Sequence, residues 1–284
     1  MAIKRIGVVG SGIMGAGVAE VAAASGFEVV LRSRTQDGAD AMLAGLDASL
    51  ARQLKKGRID DDTAADVRAR VSAVTALDEL AACDLVLESI VEDLGTKQEL
   101  FRALDRVCTP SAILATNTST LPVVEMAMVT ERPERVCGIH FFNPAPAMSL
   151  VELVPAITTS DATLGEARAF VEACDKTAVT VKDQAGFVVN ALLFPYLNNA
   201  VRLFDAGVAS RDDIDAAMKG GCNFPMGPLE LLDLVGLDTS LAILDALYAE
   251  FHDPNFAPAP LLRRMVAARR LGRKSGTGFY EYAR

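Results

Sequence analysis

Residues 3–34 read IKRIGVVGSGIMGAGVAEVAAASGFEVVLRSR. The apolar run at 6–9 predicts a strand, which leads directly into the glycine-rich turn Gly10-Ser11-Gly12-Ile13-Met14-Gly15. Small and apolar residues then continue at helical spacing as far as Ala24, Gly26 breaks the helix, and residues 27–31 predict a second strand. A Gly-x-Gly-x-x-Gly sequence between a strand and a helix is typical of a βαβ unit that binds a dinucleotide at the helix N-terminus.

Each glycine of this turn has its own role in such a unit. Gly10 permits the tight turn, Gly12 lets a pyrophosphate approach the backbone, and Gly15 lets the helix pack against the strand. We therefore expect the residues of the turn to contact a dinucleotide, namely Gly10, Gly12, Ile13, Met14 and Gly15. A turn without a ligand and a secretory signal are the alternatives. Repeated glycines and Glu20 interrupt the apolar run that a signal needs.

The end of the second predicted strand indicates which dinucleotide binds. Folds that bind NAD usually carry an acidic residue about 20 residues after the glycines, where it accepts hydrogen bonds from the ribose. This chain has Arg32-Ser33-Arg34-Thr35 there instead. Ser33 leaves room for a 2′-phosphate and Arg34 can pair with it, so the sequence favours NADP(H). NAD(H) remains the alternative, because Asp37 is close and the arginines can be ordinary surface charges.

Composition narrows the classes of function. The chain has 284 residues, 51% of them apolar, with a formal net charge of −9, five cysteines and two histidines. It has no Cys-x-x-Cys motif and no apolar run of the roughly 18 residues that a membrane span needs. We therefore expect no metal site, no disulfide framework, no membrane partner and a reducing, cytoplasmic compartment. The negative charge argues against nucleic acid and requires a local basic cluster for any anionic ligand.

The alternation of patterns predicts two domains. Residues 1–183 are expected to form an α/β, Rossmann-type, doubly wound and mainly parallel sheet, with a helical hairpin inserted at about 37–70. Residues 184–284 are expected to form an all-α domain that begins with a long helix at 185–204, kinked at Pro195. The further predicted strands are 84–88, 112–115, 135–140, 150–154 and 177–181. The other predicted helices are 96–107, 161–174, 211–218, 227–234, 239–251 and 259–270.

Polar side chains follow two of the predicted strands. Residues 115–120 read ATNTST, and His140 ends the strand at 135–140. Ligands of a doubly wound sheet bind at the carboxyl ends of its strands. A histidine side chain can take up and release a proton near neutrality, and Glu152 can orient the imidazole of His140. A packed core histidine is the alternative interpretation, which the polar residues around Ser119 and the expected nicotinamide make less favourable.

The first domain carries the glycine turn, Val91-Glu92-Asp93, the 115–120 segment and His140-Phe141-Phe142-Asn143-Pro144. The second carries Gly186-Phe187-Val188-Val189-Asn190, Phe224-Pro225-Met226-Gly227-Pro228, Gly272-Arg273-Lys274-Ser275-Gly276 and Gly278-Phe279-Tyr280. In these motifs, and along its whole length, the chain resembles the short-chain L-3-hydroxyacyl-CoA dehydrogenases, including the bacterial 3-hydroxybutyryl-CoA dehydrogenases.

The resemblance implies a role for each matching residue. His140 is the expected general base, Glu152 its carboxylate partner, Ser119 a hydrogen-bond donor to substrate, and Asn190 a contact to the substrate carbonyl. The implied cofactor contacts outside the glycine turn and Ser33-Arg34 are Glu92, Lys97, Asn117, Ser119, Asn143 and Lys274. Ser49 and Lys56 are expected to hold the CoA end. A homodimer through the C-terminal domain is also implied.

The implied reaction is hydride transfer between (3S)-3-hydroxyacyl-CoA and 3-oxoacyl-CoA, with 3-hydroxybutyryl-CoA and acetoacetyl-CoA as expected substrates. The basic cluster Arg52, Lys55, Lys56 and Arg58 agrees with a CoA ligand, although a solvated helix end is the alternative. The chain departs from the family pattern at Ser33-Arg34-Thr35. NAD-dependent oxidation, a dehydrogenase of free hydroxy acids and a non-catalytic dinucleotide-binding protein are the competing functions.

Overall fold

The computed structural model describes residues 3–282 and divides into two compact units, with the boundary between Asp183 and Gln184. The first unit contains eight strands in one sheet and the second is helical. This architecture confirms the predicted fold class, a Rossmann-type sheet followed by an all-α region. Among residues 3–282, none of the helices combines the length and apolar character needed to cross a membrane.

The strands of the first unit lie in the order β3-β2-β1-β4-β5-β6-β7-β8. Their bounds are Arg5–Val9 (β1), Glu28–Arg32 (β2), Val71–Val74 (β3), Leu85–Glu88 (β4), Ile113–Thr116 (β5), Val136–Phe141 (β6), Leu150–Pro155 (β7) and Thr177–Thr180 (β8). The β6–β7 pair is antiparallel, and the other strand pairs of this sheet are parallel. Strand order reverses between β1 and β4, and a crevice for ligands forms at such a switch point.

Six helices accompany the sheet, and their bounds are Ile13–Ala24 (α1), Gln36–Lys55 (α2), Asp61–Ala69 (α3), Leu94–Val107 (α4), Val123–Ala127 (α5) and Asp161–Ala173 (α6). Every residue of β4, β5 and β6 is buried, as expected for strands covered on both faces. The core of this unit includes Ile6, Leu31, Leu87 and Ile139. Helices α2 and α3 form the predicted hairpin between β2 and β3.

Helix α1 differs from four other helices of this unit because no side chain caps its N-terminus. Side-chain oxygens of Thr35, Asp60, Asp93 and Ser160 cap helices α2, α3, α4 and α6. Helix α1 begins after Gly12 with no side-chain cap. Because the first amides of a helix need partners from outside the helix, α1 presents unsatisfied donors at the glycine turn.

The second unit consists of helices α7 (Val189–Asp205), α8 (Arg211–Cys222), α9 (Pro228–Val235), α10 (Leu237–Phe251) and α11 (Pro260–Ala267). Its core is formed by buried apolar side chains, which include Leu197, Leu229, Leu232 and Leu244. Asp233 of α9 binds the chain that follows α11, because its carboxylate accepts hydrogen bonds from the amides of Phe279 and Tyr280. A Cβ at Gly278 would lie 2.0 Å from Asp233 Oδ1, which explains the glycine before this aromatic pair.

The structure corrects three predictions about local elements. Strand β3 was missed, because VSAV is short and mostly only half-buried at the sheet edge. Helix α5 was also missed, because it has a single turn and a half. The helix predicted at 185–204 begins only at Val189, since Gly186 (φ 74°) and Phe187 (φ 48°) adopt left-handed conformations that a helix does not accommodate. Helix α7 continues through Pro195.

Candidate active site

His140 and Glu152 form a buried pair. They are direct partners across the antiparallel strands β6 and β7. His140 Nδ1 lies 2.8 Å from Glu152 Oε2, and the two side chains are 5% and 1% exposed. A carboxylate at Nδ1 favours the tautomer that carries its proton there, so that the lone pair of Nε2 is available to take a proton. The pair therefore has the geometry of an oriented general base.

Ser119 completes a hydrogen-bonded row with this pair. Its hydroxyl oxygen lies 3.0 Å from His140 Nε2. The ring of Phe142 meets the His140 ring edge-on, with 4.6 Å between the centroids. The structure thus brings together Ser119 and His140, which were predicted from two different strand ends, and Glu152, which was predicted within the next strand. A substrate hydroxyl that reached Nε2 would also lie close to the Ser119 hydroxyl.

Glu92 holds the segment that carries Ser119. Its Oε1 accepts hydrogen bonds from the Thr118 hydroxyl at 2.5 Å and from the Ser119 amide at 3.0 Å. Lys97 Nζ lies 3.3 Å from Glu92 Oε2. Burial acts to raise the pKa of Glu92, but the charge of Lys97 and these hydrogen bonds outweigh it, so that the pKa lies below its ordinary value. The ionised carboxylate therefore anchors this loop.

Glu88 is a site residue that the sequence interpretation missed. It ends β4, is fully buried, and accepts hydrogen bonds from Lys97 Nζ at 2.5 Å, from the Thr116 hydroxyl at 2.7 Å and from the Ile90 amide at 2.6 Å. Lys97, predicted as a cofactor contact, is 1% exposed and lies between Glu88 and Glu92. A carboxylate at the end of an apolar strand, with a lysine nine residues later, was the signal in the sequence.

The glycine turn fits a pyrophosphate. A Cβ at Gly10 would lie 2.2 Å from the carbonyl oxygen of Ser89, and one at Gly15 would lie 2.2 Å from that of Gly10. Around Gly12, a Cβ would meet nothing within 4 Å, so there is open space in front of the uncapped helix α1. Free amides at a helix N-terminus and an approachable backbone are what a phosphate group requires. Ile13 is 78% exposed beside this space.

The side chains at the end of β2 differ in how accessible they are to a ligand. Ser33 is buried, and its hydroxyl oxygen lies 2.1 Å from the place of a Cβ at Gly38, in the first turn of α2. Arg32 Nε donates to the carbonyl of Thr75 at 3.1 Å. Burial, and next the charge of Arg34, lower the pKa of Arg32. Arg34 itself is exposed, which makes it the better placed guanidinium for a ligand phosphate.

Asn117 and Asn143 both lie at the carboxyl end of β6, the strand that contains His140. The Asn117 side-chain oxygen accepts a hydrogen bond from the Phe141 amide at 2.7 Å, so it holds the end of β6. Asn143 is exposed and precedes a cis peptide bond to Pro144. It begins the 143–149 loop, which connects β6 to β7. Asn143 is therefore placed two residues beyond the strand that carries the proposed base.

The predicted CoA contacts lie on helix α2 and at its end. Ser49 is half-buried, and Lys56 is exposed at the residue that caps the helix C-terminus. Seven residues correspond to about two helical turns, so both project from one face about 10 Å apart. The whole basic cluster is exposed, namely Arg52, Lys55, Lys56 and Arg58.

Two predicted site residues belong to the second unit. Asn190 lies in the first turn of α7 and is 7% exposed. Lys274 Nζ lies 2.5 Å from Asp238 Oδ1, near the start of α10, and its side chain is 48% exposed. Gly186 precedes α7 at a position with no room for a side chain, because a Cβ there would lie 2.6 Å from Leu247. Within residues 3–282, no cluster of histidine, cysteine, aspartate and glutamate side chains is arranged to hold a metal ion.

Comparison with known proteins covers nearly the whole chain. The family model described as "3-hydroxyacyl-CoA dehydrogenase, NAD binding domain" matches residues 5–184, and "3-hydroxyacyl-CoA dehydrogenase, C-terminal domain" matches residues 186–282. The 3-hydroxybutyryl-CoA dehydrogenase of Clostridioides difficile is 45% identical over 278 residues, which cover 98% of this chain and 99% of that protein.

Two solved structures have the same fold. The crystal structure of FadB2 from M. tuberculosis matches with a TM-score of 0.98 and 44% identity, and covers 100% of both chains. The (S)-3-hydroxybutyryl-CoA dehydrogenase PaaH1 of Ralstonia eutropha matches with a TM-score of 0.96 and 41% identity, again over 100% of both chains. The full-length resemblance predicted from the motifs is confirmed, and the chain belongs to the 3-hydroxyacyl-CoA dehydrogenase family.

Proposed function

We propose that this protein interconverts (3S)-3-hydroxyacyl-CoA and 3-oxoacyl-CoA, with 3-hydroxybutyryl-CoA and acetoacetyl-CoA as its preferred substrates. The observation that carries the proposal is the hydrogen-bonded row Glu152–His140–Ser119, with contacts of 2.8 Å and 3.0 Å, in which His140 and Glu152 are buried. Relatives that are similar over the full chain are named 3-hydroxybutyryl-CoA dehydrogenases, which supports the four-carbon substrate. A bound nicotinamide would supply the acceptor or donor of the hydride at C3.

The side chains of the first unit account for the proton that accompanies this hydride. In the oxidative direction His140 Nε2 takes the proton of the 3-hydroxyl, and Glu152 stabilises the imidazolium that forms. In the reductive direction the imidazolium returns the proton to the 3-oxo group. Ser119 donates a hydrogen bond to the same substrate oxygen. Glu92 keeps Ser119 in place through the Ser119 amide.

Contacts to the remainder of the substrate are assigned to two further regions. Ser49 and Lys56 would bind the phosphate-bearing end of CoA, since they project from one face of α2 among exposed basic residues. Asn190 of the second unit would contact the substrate carbonyl. The overall charge of −9 repels an anion, so the basic cluster must supply the attraction locally.

We infer that NADP(H) is preferred over NAD(H). The support is the absence of a carboxylate at Ser33 and the exposure of Arg34, which stays available while Arg32 donates to Thr75. The matching family model is described as an NAD binding domain, so NAD(H) is the second candidate. Asp37, exposed in the first turn of α2, is the residue that would favour it.

Steady-state reduction of acetoacetyl-CoA, followed by the loss of reduced-nicotinamide absorbance, tests both proposals. The purified protein should turn over acetoacetyl-CoA with either reduced cofactor, and more efficiently with NADPH. Acyl-CoA substrates of increasing chain length should give lower kcat/KM. A protein that bound the cofactor but turned over neither acyl-CoA nor free 3-oxo acids would instead be a non-catalytic dinucleotide-binding protein.

A further inference from the structure

Lys176 makes an unusual set of contacts outside the residues assigned above. It follows Asp175, which has a left-handed conformation (φ 54°) after helix α6, and it precedes β8. Its ammonium donates to the carbonyl oxygens of Ala145 at 3.0 Å, Pro146 at 3.3 Å and Met148 at 2.9 Å. A lysine ammonium has three donor hydrogens, so these three carbonyls can use all of them.

The three carbonyls belong to the 143–149 loop. The residue after Lys176 strengthens the same attachment, because the Thr177 amide donates to the Ser149 carbonyl at 2.7 Å. Within the loop, the Pro144 carbonyl accepts from the Ala147 and Met148 amides. The loop is thus closed on itself and fastened at its far end to the start of β8.

The loop also packs against helix α1. Ala145 is 2% exposed, and a Cβ at Gly17 would lie 3.2 Å from the Ala145 Cβ. Gly17 therefore permits a close approach of the loop to the helix whose N-terminus forms the glycine turn. The loop therefore contacts both helix α1 and the Lys176 ammonium.

We propose that Lys176 is a positioning residue for the cofactor site. By fixing the 143–149 loop, it sets the place of Asn143 and restrains the end of β6, where His140 lies. Lys176 touches neither proposed substrate nor proposed cofactor group and acts through the loop. This proposal rests on the proposed function, because it takes Asn143 as the cofactor contact that the resemblance to the dehydrogenase family implies.

Removal of the ammonium should loosen the loop without unfolding the unit. Lys176 is only half-buried, so water can replace it at the carbonyls. The loop would then occupy its binding geometry for only part of the time, and the apparent Kd for the cofactor rises by the inverse of that fraction. Occupancy of one fifth corresponds to a rise of about fivefold.

The experiment compares Lys176→Met and Lys176→Arg with the wild type, and uses Lys182→Met as the matched control, since Lys182 is the next lysine along the chain and is exposed. The Kd for reduced cofactor is measured by calorimetry without substrate. Hydrogen exchange is measured for the peptide that contains residues 145–149. Lys176→Met should raise the Kd by about fivefold or more and speed the exchange of this peptide. Lys176→Arg should show smaller changes than Lys176→Met in both the Kd and the exchange rate. The Lys182→Met control should match the wild type in both measurements.

A folded Lys176→Met protein with wild-type Kd and wild-type exchange of the loop would overturn the proposal. If Lys176→Met does not fold, Lys176→Arg decides, because a planar guanidinium cannot reproduce all three contacts and should show an intermediate Kd. If Lys176→Arg then had the wild-type Kd for the cofactor and the wild-type hydrogen exchange of the loop, the proposed positioning role of Lys176 would be rejected. Failure of the wild type to reduce acyl-CoA would refute the proposed function, while the Kd comparison would still decide the role of Lys176.

Discussion

His140 and Glu152 are twelve residues apart in sequence and directly opposite each other in the antiparallel β6–β7 pair, with 2.8 Å between Nδ1 and Oε2. The other strand pairs of the sheet are parallel, and parallel neighbours need long crossover connections. The antiparallel pair β6–β7 needs only the short 143–149 loop. The carboxylate therefore lies on the strand adjacent to the proposed base, where rigid backbone pairing holds both side chains. A base fixed in this way loses little entropy when it meets its substrate.

The first prediction concerns this pair. His140→Ala should lower kcat by about 10²–10⁴-fold, because the proton of the 3-hydroxyl then has no acceptor. The Kd for the cofactor, measured by calorimetry, should stay near the wild-type value. Glu152→Gln should lower kcat less, since it removes only the charge that stabilises the imidazolium. A His140→Ala protein that kept more than half of the wild-type kcat would refute the assignment.

The second prediction concerns the choice of cofactor. A charge-assisted contact between Arg34 and a 2′-phosphate contributes about 1.5–3 kcal/mol, and each 1.4 kcal/mol is about tenfold in affinity. We therefore expect kcat/KM for NADPH to exceed that for NADH by about tenfold or more. Ser33→Asp combined with Arg34→Ile should reverse the preference, because the new carboxylate repels the phosphate and accepts hydrogen bonds from the ribose.

The matched control for the cofactor experiment is Arg58→Ile, which removes an exposed arginine of the same unit. It should leave the ratio of the two kcat/KM values unchanged. If wild-type protein at ordinary salt used NADH as well as or better than NADPH, Arg34 would be a surface charge and NAD(H) the cofactor.

The third prediction concerns assembly. Leu192 and Leu203 of α7 are 72% and 47% exposed. Because they are eleven residues apart, or about three helical turns, they lie on one face of the helix. We expect a homodimer through residues 184–284, which covers this face. Leu192→Asp should shift the protein towards a monomer in light scattering, whereas Ile157→Asp, at an exposed position of the first unit, should not. A monomeric wild-type protein at micromolar concentration would contradict the prediction.

The fourth prediction concerns the stability of the second unit. Asp233 is 1% exposed and accepts from the amides of Phe279 and Tyr280 and from the Tyr282 hydroxyl. Asp233→Ala leaves these donors without their partner, and each buried unsatisfied donor costs about 1–3 kcal/mol. We expect the free energy of unfolding to fall by at least about 2 kcal/mol in urea denaturation. An effect no larger than that of Asp253→Ala, at an exposed position, would show that the contact contributes little.

The fifth prediction concerns thiol reactivity. Four of the five cysteines are buried, and Cys222 is exposed. Burial raises the pKa of Cys83 and Cys137 to about 12 and that of Cys108 and Cys174 to about 11. Since the thiolate is the reactive form, one thiol per chain should react quickly with a disulfide reagent in the native protein, and five after denaturation. Cys222→Ser should remove the fast reaction, and several fast-reacting thiols in that variant would contradict the burial.

Much of the fold followed from local patterns in the chain. We could predict the apolar strands of 3–34, the glycine turn and the helical hairpin from the sequence. Their signals are hydrophobic periodicity, turn residues and helix caps, which all act between residues close together in the chain. The strands β4 to β8 were also recognised, although β3 was missed because a half-buried edge strand has a weak apolar signal. The candidate residues His140, Glu152 and Ser119 were identified from residue type, strand ends and family motifs.

Only the tertiary structure decided how these residues meet. The sequence alone determined that a Rossmann-type sheet and a helical region would form, because burial of periodic apolar side chains requires such layers. It did not specify that Glu88 pairs with Lys97 or that the Lys176 ammonium reaches the 143–149 loop. The three carbonyls that bind the Lys176 ammonium come from residues 28 to 31 positions earlier in the chain, and the Glu88–Lys97–Glu92 network depends on where β4 ends relative to the start of α4. Such contacts depend on the pairing of strands and the path of loops, and local pattern does not specify them.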